Sequence, residues 1–312
     1  MTTETKEVGP PATRQTEVER PPRLRRQRWS RRLPILPALI FTIVVTQVPF
    51  LVTFWYSLHT WDFLKPGSFE FGGFSNYTDA FGDQFFRDAM LHTVIITTAS
   101  VVVSISIATG LAVLLDRTFP GRSIVRTLLI TPFLIMPVAA SLIWRHEFLD
   151  ANYGFLNWLL NRVGIKDVAF TTRYPLFSVV LVLIWQWTPF MMLIILAGLQ
   201  SQTAEVLEAA QVDGARARHI FRYITVPHLR PYLDLCVLLG SIYLLQNFDT
   251  VDQLVGGAPD ARNIPYFIYQ RSIGGGWKFG EASAFGVVVV VATIILATLA
   301  LRVLSKLFRG DA

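Results

Sequence analysis

The chain has 312 residues, of which 52% are apolar and 16% are charged, and its formal net charge is +6. Such a composition is too apolar for an ordinary soluble protein of this length, so it predicts an integral membrane protein. The positive balance fits a chain that lies against anionic lipid, and we expect no nucleic-acid partner.

Residues 1–32 form the first predicted element, a basic tail rich in Pro, Thr, Glu and Arg. The tail has too few large apolar side chains to bury a core, so we expect it to be disordered. Its arginines would lie against anionic lipid at the cytoplasmic face. A cleaved signal peptide is not expected, because the apolar stretch behind the arginines is about twice the usual length of roughly 7 to 15 residues.

Six apolar stretches follow, and they make up the predicted membrane domain, residues 33–308. A helix needs roughly 20 residues to cross the hydrocarbon core at about 1.5 Å per residue. The fifth stretch is the weakest, because it contains Asp234 and the polar pair Gln246 and Asn247. We include it because the last span would otherwise run against the charge pattern. The predicted fold class is all-α, with spans at about residues 33–58, 89–115, 127–145, 175–199, 232–252 and 282–304.

Lys and Arg residues set the predicted orientation of these spans. Of the 28, 19 lie in the tail, in residues 116–126, in residues 200–231 and from Arg302 onward. We therefore expect these segments and both termini on the cytoplasmic side of the membrane. The single cysteine, Cys236, lies within the fifth span, so no internal disulfide is possible.

The cytoplasmic segment 200–231 has a more ordered pattern than a simple connector. Residues 205–212 are strong helix formers, Gly214 breaks the helix, and residues 215–223 resume it with apolar side chains at helical spacing. We expect Pro227 to stop this second helix. Such a helix pair could act as a lever between a membrane bundle and a docked partner, although a surface-lying connector is the simpler interpretation.

The same segment resembles the EAA loop of ABC importer permeases. The match consists of Glu208-Ala209-Ala210, three residues, Gly214, nine residues and Ile224-x-x-Pro227, and it departs only at Val226, where the family more often has Leu. The resemblance implies the type I ABC importer permease fold and a helix pair that inserts into a cleft on a separate ATPase. Glu208 would contact that ATPase, unless it is only an exposed helix charge. The implied ATPase-coupling residues are Glu208, Ala209, Ala210, Asp213, Gly214, Ile224 and Pro227.

The resemblance also implies an assembly in a bacterial inner membrane. Its other members would be a second homologous permease subunit in a heterodimer, a cytoplasmic ABC ATPase dimer and an extracytoplasmic sugar-binding protein. ATP would be used by the partner ATPase, since this sequence contains no Gly-x-x-x-x-Gly-Lys-Ser/Thr phosphate loop. We expect this chain to bind no cofactor and to be no enzyme itself.

Three further segments resemble the carbohydrate-uptake branch, which includes maltose-type and sorbitol/mannitol-type permeases. They are Phe71-Gly-Gly-Phe-Ser-Asn-Tyr77, Asn152-Tyr-Gly-Phe-Leu-Asn-Trp158 and Gly280-Glu-Ala-Ser-Ala284. Each alone is explained equally well as an outer turn built from Gly, Asn and aromatic residues. Together they imply a sugar or sugar alcohol as cargo, and the overall pattern leans toward a polyol.

An uncharged sugar would need amide and hydroxyl partners and aromatic faces in the membrane. Gln186 lies about 16 Å along the fourth span, close to the centre of a roughly 30 Å hydrocarbon core. Pro189 follows one turn later and could kink the helix around a cavity. Alternatively, these polar groups only hydrogen-bond neighbouring helices. The candidate substrate-pathway residues are Gln186, Trp185, Trp187, Ser241, Tyr243, Gln246, Asn247 and Asp249.

Three other functional classes stay open at this point. A secondary transporter would be expected to show internal repeats or buried charges, and we find neither in the sequence. A membrane enzyme would need a nucleophile motif or metal-ligand spacing, whereas the carboxylates and histidines are scattered and no metal site is expected. An ABC permease for an amino acid, phosphate or metal oxyanion would need basic residues at the midplane, where the sequence places none.

Overall fold

The computed structural model describes residues 35–165 and 167–307, so the predicted tail lies outside the described residues. The chain divides into two compact units, residues 1–52 and 53–312. Helix α1 (Leu36–Ser57) begins in the first unit and ends in the second. It has Pro49 in its interior and is long and apolar enough to cross a membrane.

The second unit is mostly helical. A short antiparallel hairpin of β1 (His59–Thr60) and β2 (Glu70–Phe71) precedes the helices. The helices that follow are α2 (Ser75–Gly82), α3 (Gln84–Asp116), α4 (Arg122–Leu134), α5 (Pro137–Ile143), α6 (Phe155–Asn161), α7 (Phe170–Arg173), α8 (Pro175–Gln200), α9 (Ala204–Val212), α10 (Ala217–Ile220), α11 (Val226–Leu245), α12 (Asp249–Val255), α13 (Ile264–Arg271) and α14 (Phe279–Leu307). Two π turns, Trp144–Phe148 and Phe221–Thr225, and a 3-10 turn, Pro259–Ala261, lie between them.

Helices α3, α8 and α11 pack against one another and form the core of this unit. A Cβ added at Gly240 of α11 would lie 2.6 Å from Cε of Met191 and 3.3 Å from a methyl group of Val101. Ala108 and Ala112 of α3 are also fully buried. Small residues let helix backbones approach closely, which is a usual basis of helix association in lipid.

Hydrogen bonds near the helix ends show which ends share a side of the bundle. Near the start of α3, the Ile264 N–H donates to Thr93 Oγ1 at 2.9 Å, and His92 Nδ1 lies 3.2 Å from the Arg262 carbonyl oxygen. Arg262 and Ile264 follow α12, beyond the end of α11. The start of α3 therefore lies with the end of α11, and the end of α3 lies on the opposite side, with α9.

Two of the sequence motifs are built around buried asparagine side chains. Asn76 donates to two backbone carbonyl oxygens of the segment before the hairpin turn, at 2.8 and 2.9 Å. Asn157 donates to the carbonyl oxygens of Asp150 and Val168 at 2.7 and 3.0 Å, and it accepts from the Val168 N–H. These bonds satisfy irregular backbone in the turns, so both asparagines have a structural role.

Three described helices, α1, α3 and α8, are long and apolar enough to cross a membrane. The bent pair formed by α4 with α5 and its π turn would be a fourth span. α11 covers most of the predicted fifth span and carries Arg230 and Asp234 near its start. α14 covers the predicted sixth span, with its apolar part at Phe279–Ile295. A helical membrane protein is thus confirmed, and six spans stay a prediction.

The third predicted span, residues 127–145, is not one continuous helix. α4 ends at Leu134, α5 begins at Pro137, and the axis bends by 99° between them. Proline forces the residue before it toward extended conformations, and Ile135 and Met136 have ψ angles of 133° and 135°. The predicted span followed the apolar run across this proline and did not indicate the break, although the bent pair together is still long and apolar enough for one span.

The fifth predicted span, residues 232–252, is interrupted as well. α11 ends at Leu245 and α12 begins at Asp249. The Asn247 N–H closes a tight turn by donating to the Leu244 carbonyl at 3.2 Å, and the Asn247 carbonyl accepts from the Asn263 side chain. Bonds from outside the helix replace the helical pattern here, and the sequence pattern did not indicate this interruption.

Candidate functional site

The first candidate site is the segment between α8 and α11, which contains α9 and α10. α9 ends in a Schellman motif, in which the Gly214 N–H donates to the Gln211 carbonyl at 3.0 Å and the Ala215 N–H donates to the Ala210 carbonyl at 2.9 Å. Gly214 has a φ of +81°, a conformation that residues with a Cβ adopt rarely. Gly214 therefore ends α9 and turns the chain toward α10.

The side chains of α9 are turned outward, and none of them is buried. Glu208 is exposed and makes no hydrogen bond or ion pair with any described residue. Val206 and Val212 are 50% and 87% exposed. Three further predicted coupling residues on this segment are exposed or half-buried, namely Ala209, Ala210 and Asp213. Helix α9 therefore presents two exposed apolar side chains and a carboxylate without a described partner to its surroundings.

Pro227 does not stop the second helix, contrary to the sequence prediction. The chain runs from α10 through the π turn Phe221–Thr225 directly into α11, and the Val226 N–H donates to the Phe221 carbonyl five residues back. The wider turn relieves the clash between a proline ring and the carbonyl four residues before it. Ile224 and Pro227 thus lie at the transition into α11 and not on the exposed α9.

A polar cluster joins the two ends of this segment, and we call it the base cluster: Ser201, His228 and Tyr232. Ser201 Oγ lies 3.0 Å from His228 Nε2 and 2.9 Å from Tyr232 Oη. His228 Nε2 also lies 3.2 Å from the Gly198 carbonyl oxygen, and a Cβ at Gly198 would lie 2.7 Å from the Tyr232 ring. The end of α8 and the start of α11 are therefore held together at the two ends of the segment that contains α9 and α10.

The second candidate site surrounds Gln186 in α8. Gln186 is 4% exposed, and its Nε2 donates to the Ile135 carbonyl at 3.0 Å. Ile135 follows the last residue of α4, where the end of a helix leaves carbonyl groups without partners. The Gln186 side chain therefore stabilises the break between α4 and α5. Its Oε1 is buried and has no hydrogen-bond partner among the described residues.

The tryptophans on either side of Gln186 have different neighbours. Trp187 stacks on Tyr243 of α11 with ring centroids 5.4 Å apart, and it meets Phe133 of α4 edge-on at 5.7 Å. Trp185 instead packs against Trp144 of the first π turn at 5.5 Å. The structure thus brings Trp187 and Tyr243 together, whereas Trp185 lies in a separate contact.

The other predicted pathway residues lie in the second half of α11 and in the break after it. Ser241 is half-buried and makes no hydrogen bond with a described residue. Gln246 is exposed, and Asp249 is half-buried at the start of α12. Asn247 Nδ2 donates to Thr250 Oγ1 at 3.2 Å, while its Oδ1 is buried with no partner in the described part of the chain. Two amide oxygens, those of Gln186 and Asn247, are therefore buried without a hydrogen-bond partner among the described residues.

The two helix breaks are linked through the elements that follow them. α5 packs against α12, and both pack against α8. Arg145 Nη1 donates to the Gln253 carbonyl at 2.9 Å, although the two residues are 108 positions apart. Sequence reasoning missed this long-range contact. It also missed Asn263, whose Oδ1 accepts from the Tyr266 N–H at 3.1 Å, although an Asn before Ile264-Pro265 is a recognisable helix N-cap.

Charged side chains gather at the start of α3. Arg271 lies 2.5 Å from the Asp83 carboxylate and 3.6 Å from that of Glu281, and Lys278 lies 2.6 Å from Glu281. These ion pairs tie α13 to the starts of α3 and α14. No group of three or more His, Cys, Asp or Glu side chains that could hold a metal ion occurs in residues 35–165 and 167–307.

Residues 100–310, which include both candidate sites, match the family described as binding-protein-dependent transport system inner membrane component. The chain is 35% identical over 280 residues to a probable ABC transporter permease protein of Sinorhizobium fredii, covering 88% of this chain and 89% of the relative. It is 29% identical over 276 residues to the trehalose/maltose transport system permease protein of Thermococcus litoralis, covering 87% and 92%.

The fold is similar to that of a solved structure, a bacterial ABC transporter that imports the acidic polysaccharide alginate. The TM-score is 0.75 at 21% sequence identity, and the match covers 90% of this chain and 96% of that one. The likeness shows that the helices adopt a permease fold.

Proposed function

Because this chain belongs to the family of binding-protein-dependent transport system inner membrane components, we propose that it forms half of the translocation pathway of an ATP-driven sugar importer. The family consists of membrane components of transport systems, so the chain is a transport subunit and not an enzyme. In this proposal a separate ATPase dimer binds and hydrolyses ATP, and α9 couples that hydrolysis to movement of the membrane helices.

The exposed α9, fixed in direction by Gly214, is the observation that carries the proposal. Val206 and Val212 offer apolar contacts, and Glu208 offers an unpaired charge. The base cluster lies where the chain leaves α8 toward α9 and where it enters α11, and it holds α8 to α11. A displacement of α9 by a docked ATPase would therefore reach both helices, one of which carries Gln186.

We place both termini and α9 on the cytoplasmic side, following the excess of Lys and Arg there. The proposed partners are a second homologous permease subunit, the ATPase dimer and an extracytoplasmic sugar-binding protein. A structure of the alginate transporter in complex with a periplasmic protein carrying alginate pentasaccharide supports an assembly of this kind.

The cargo we propose is a sugar or sugar alcohol that passes between α8, α11 and the two helix breaks. The unpartnered oxygens of Gln186 and Asn247 would accept hydrogen bonds from hydroxyl groups, and the Trp187 and Tyr243 rings would pack against C–H faces. α8 contains no ionisable side chain, which favours a neutral cargo. A polyol is the narrower form of this proposal, and a ligand screen with the purified binding protein would test it.

Cross-linking at position 208 tests the coupling proposal. A Glu208→Cys variant in a Cys236→Ser background, carrying a thiol-attached photoreactive group, should cross-link to the ATPase within the complete complex. Asn152→Cys, exposed in an outer loop, is the matched control and should give no ATPase product. Equal products from both positions, or none from position 208, would overturn the proposed role of α9.

A further inference from the structure

An apolar cavity of about 420 Å³ lies between the end of α3 and the start of α4. Its walls include Leu111, Leu114 and Leu115 of α3 and Val125 and Leu129 of α4, and Arg117 lies at its edge. Leu114 is 58% exposed, so the cavity is reached from the side of the helix pair. Neither candidate site described above includes any of these residues.

The turn beside this cavity carries an excess of positive charge. Residues 116–126 contain Arg117, Arg122 and Arg126 against a single acidic residue, Asp116. None of the three guanidinium groups makes a hydrogen bond or ion pair with a described residue. Arginine binds phosphate groups with two parallel N–H···O bonds, so unpaired guanidinium groups favour a phosphate-bearing ligand.

The cavity lies where the apolar part of α3 gives way to charge. Residues 89–115 are apolar apart from His92 and a few hydroxyl groups, and Asp116 and Arg117 follow at once. In a membrane-spanning helix, such a transition from apolar to charged residues is expected at the level of the lipid headgroups. The end of α3 lies on the same side of the bundle as α9, which the proposed orientation makes cytoplasmic.

We propose that this cavity binds an anionic phospholipid of the cytoplasmic leaflet. An acyl chain would lie against the leucines of α3 and α4, and the phosphate group would bind Arg117, with Arg122 and Arg126 adding to the positive field. Basic pockets between membrane helices on the cytoplasmic side favour anionic headgroups in this way. A zwitterionic lipid would satisfy the apolar walls and leave the net charge of the turn uncompensated.

Photo-labelling of the complete transporter in nanodiscs tests this inference. The probe is phosphatidylglycerol with a photoreactive acyl chain, in discs of phosphatidylethanolamine and phosphatidylglycerol, and labelled peptides are mapped by mass spectrometry. We expect labelling within residues 111–129. Arg117→Gln should weaken it about fivefold, and Arg117→Gln with Arg122→Gln should weaken it about twenty-five-fold.

Matched variants separate lipid binding from misfolding. Arg117→Lys keeps the charge and should retain most of the labelling. Leu114→Trp should fill the cavity and abolish labelling, whereas Leu91→Trp, at an exposed leucine near the start of the same helix, should not. Soluble glycerol phosphate in excess should not compete, because it brings no acyl chain.

Three results would overturn the inference: equal labelling by a phosphatidylethanolamine probe, full labelling of the Arg117→Gln variant, or labelling that appears only when the other subunits are absent. The last would mean that another subunit covers the cavity. Both leaflets of a nanodisc carry the probe, so labelling does not depend on the proposed orientation. Photo-labelling is also measured independently of transport, so a lack of lipid labelling is distinguishable from a failure of the proposed transport function.

Discussion

At the scale of single residues, Gly214 sets the direction in which the chain leaves α9. A Cβ at this position would meet nothing within 4 Å, so the requirement for glycine is conformational and not steric. A residue with a Cβ at this φ costs roughly 1–2 kcal/mol, and a β-branched residue costs more. We expect Gly214→Val to lower sugar uptake and stimulated ATP hydrolysis together, with Gly214→Ala intermediate, in proteoliposomes that contain the complete transporter.

Gln211→Val is the control for this pair, because Gln211 is exposed on the same helix and adopts an ordinary helical conformation. It should retain most of the wild-type activity. Wild-type uptake in Gly214→Val would mean that the turn has no part in coupling.

Gln186 has a role that is separable from sugar binding, since its Nε2 satisfies the Ile135 carbonyl. Gln186→Met should lower thermal stability by about 1 kcal/mol, because a buried carbonyl loses its donor. If Oε1 contacts the cargo, the variant should also need a higher sugar concentration for half-maximal uptake. Thr188→Val is the control, because the Thr188 hydroxyl bonds only within its own helix, to Ile184. Equal unfolding temperatures for the two variants would contradict the role of Gln186 at the helix break.

At the scale of elements, the sequence predicts helices well and their interruptions less well. Both Pro137 and Pro227 stand in helical patterns, yet only Pro137 breaks the helix, because the π turn before Pro227 accommodates its ring. The outcome depends on the hydrogen-bond pattern of the preceding turn. The presence of a proline in the sequence therefore does not by itself show whether the helix breaks, as at Pro137, or continues, as at Pro227.

The two candidate sites differ in how far apart in the sequence their interacting residues lie. The helix break at Gly214 lies within one short segment, so the local sequence was enough to predict it, whereas Glu208 was singled out only by the family resemblance. The bond from Gln186 to Ile135 joins residues 51 positions apart, and the contact between Ser201 and Tyr232 joins residues 31 apart. Such contacts depend on helix packing, which a single sequence without its fold does not specify.

The base cluster joins the end of α8, which leads into α9, to the start of α11, and we propose that it links α9 to the membrane helices. Tyr232→Phe removes the hydroxyl that lies 2.9 Å from Ser201 Oγ while keeping the ring against Gly198. We expect fewer sugar molecules transported per ATP hydrolysed, because losing this hydrogen bond, worth about 1 kcal/mol, loosens the contact between α8 and α11. Uptake and phosphate release measured in the same vesicles give this ratio. The control is Tyr223→Phe, at an exposed tyrosine of the second π turn, which should keep the wild-type ratio. An unchanged ratio in Tyr232→Phe would mean that the base cluster has no part in coupling.

At the scale of the whole molecule, the proposed orientation in the membrane rests on the distribution of Lys and Arg alone. Single cysteines at positions 152 and 208 are suitable reporters, because both side chains are exposed, and the buried Cys236 can be replaced by Ser. In intact cells an impermeant thiol reagent should label position 152 and not position 208. In permeabilised cells both positions should be labelled. Labelling of position 208 and not of position 152 in intact cells would contradict the proposed orientation.

The central claim is that this chain moves a sugar only when a separate ATPase acts on it. The direct measurement is uptake of radiolabelled sugar into proteoliposomes that contain this chain with its second permease, with or without the ATPase, sugar-loaded binding protein and internal ATP. We predict uptake only when all of these components are present. Uptake by the permeases alone, driven by a proton or sodium gradient without the ATPase, would contradict the claim.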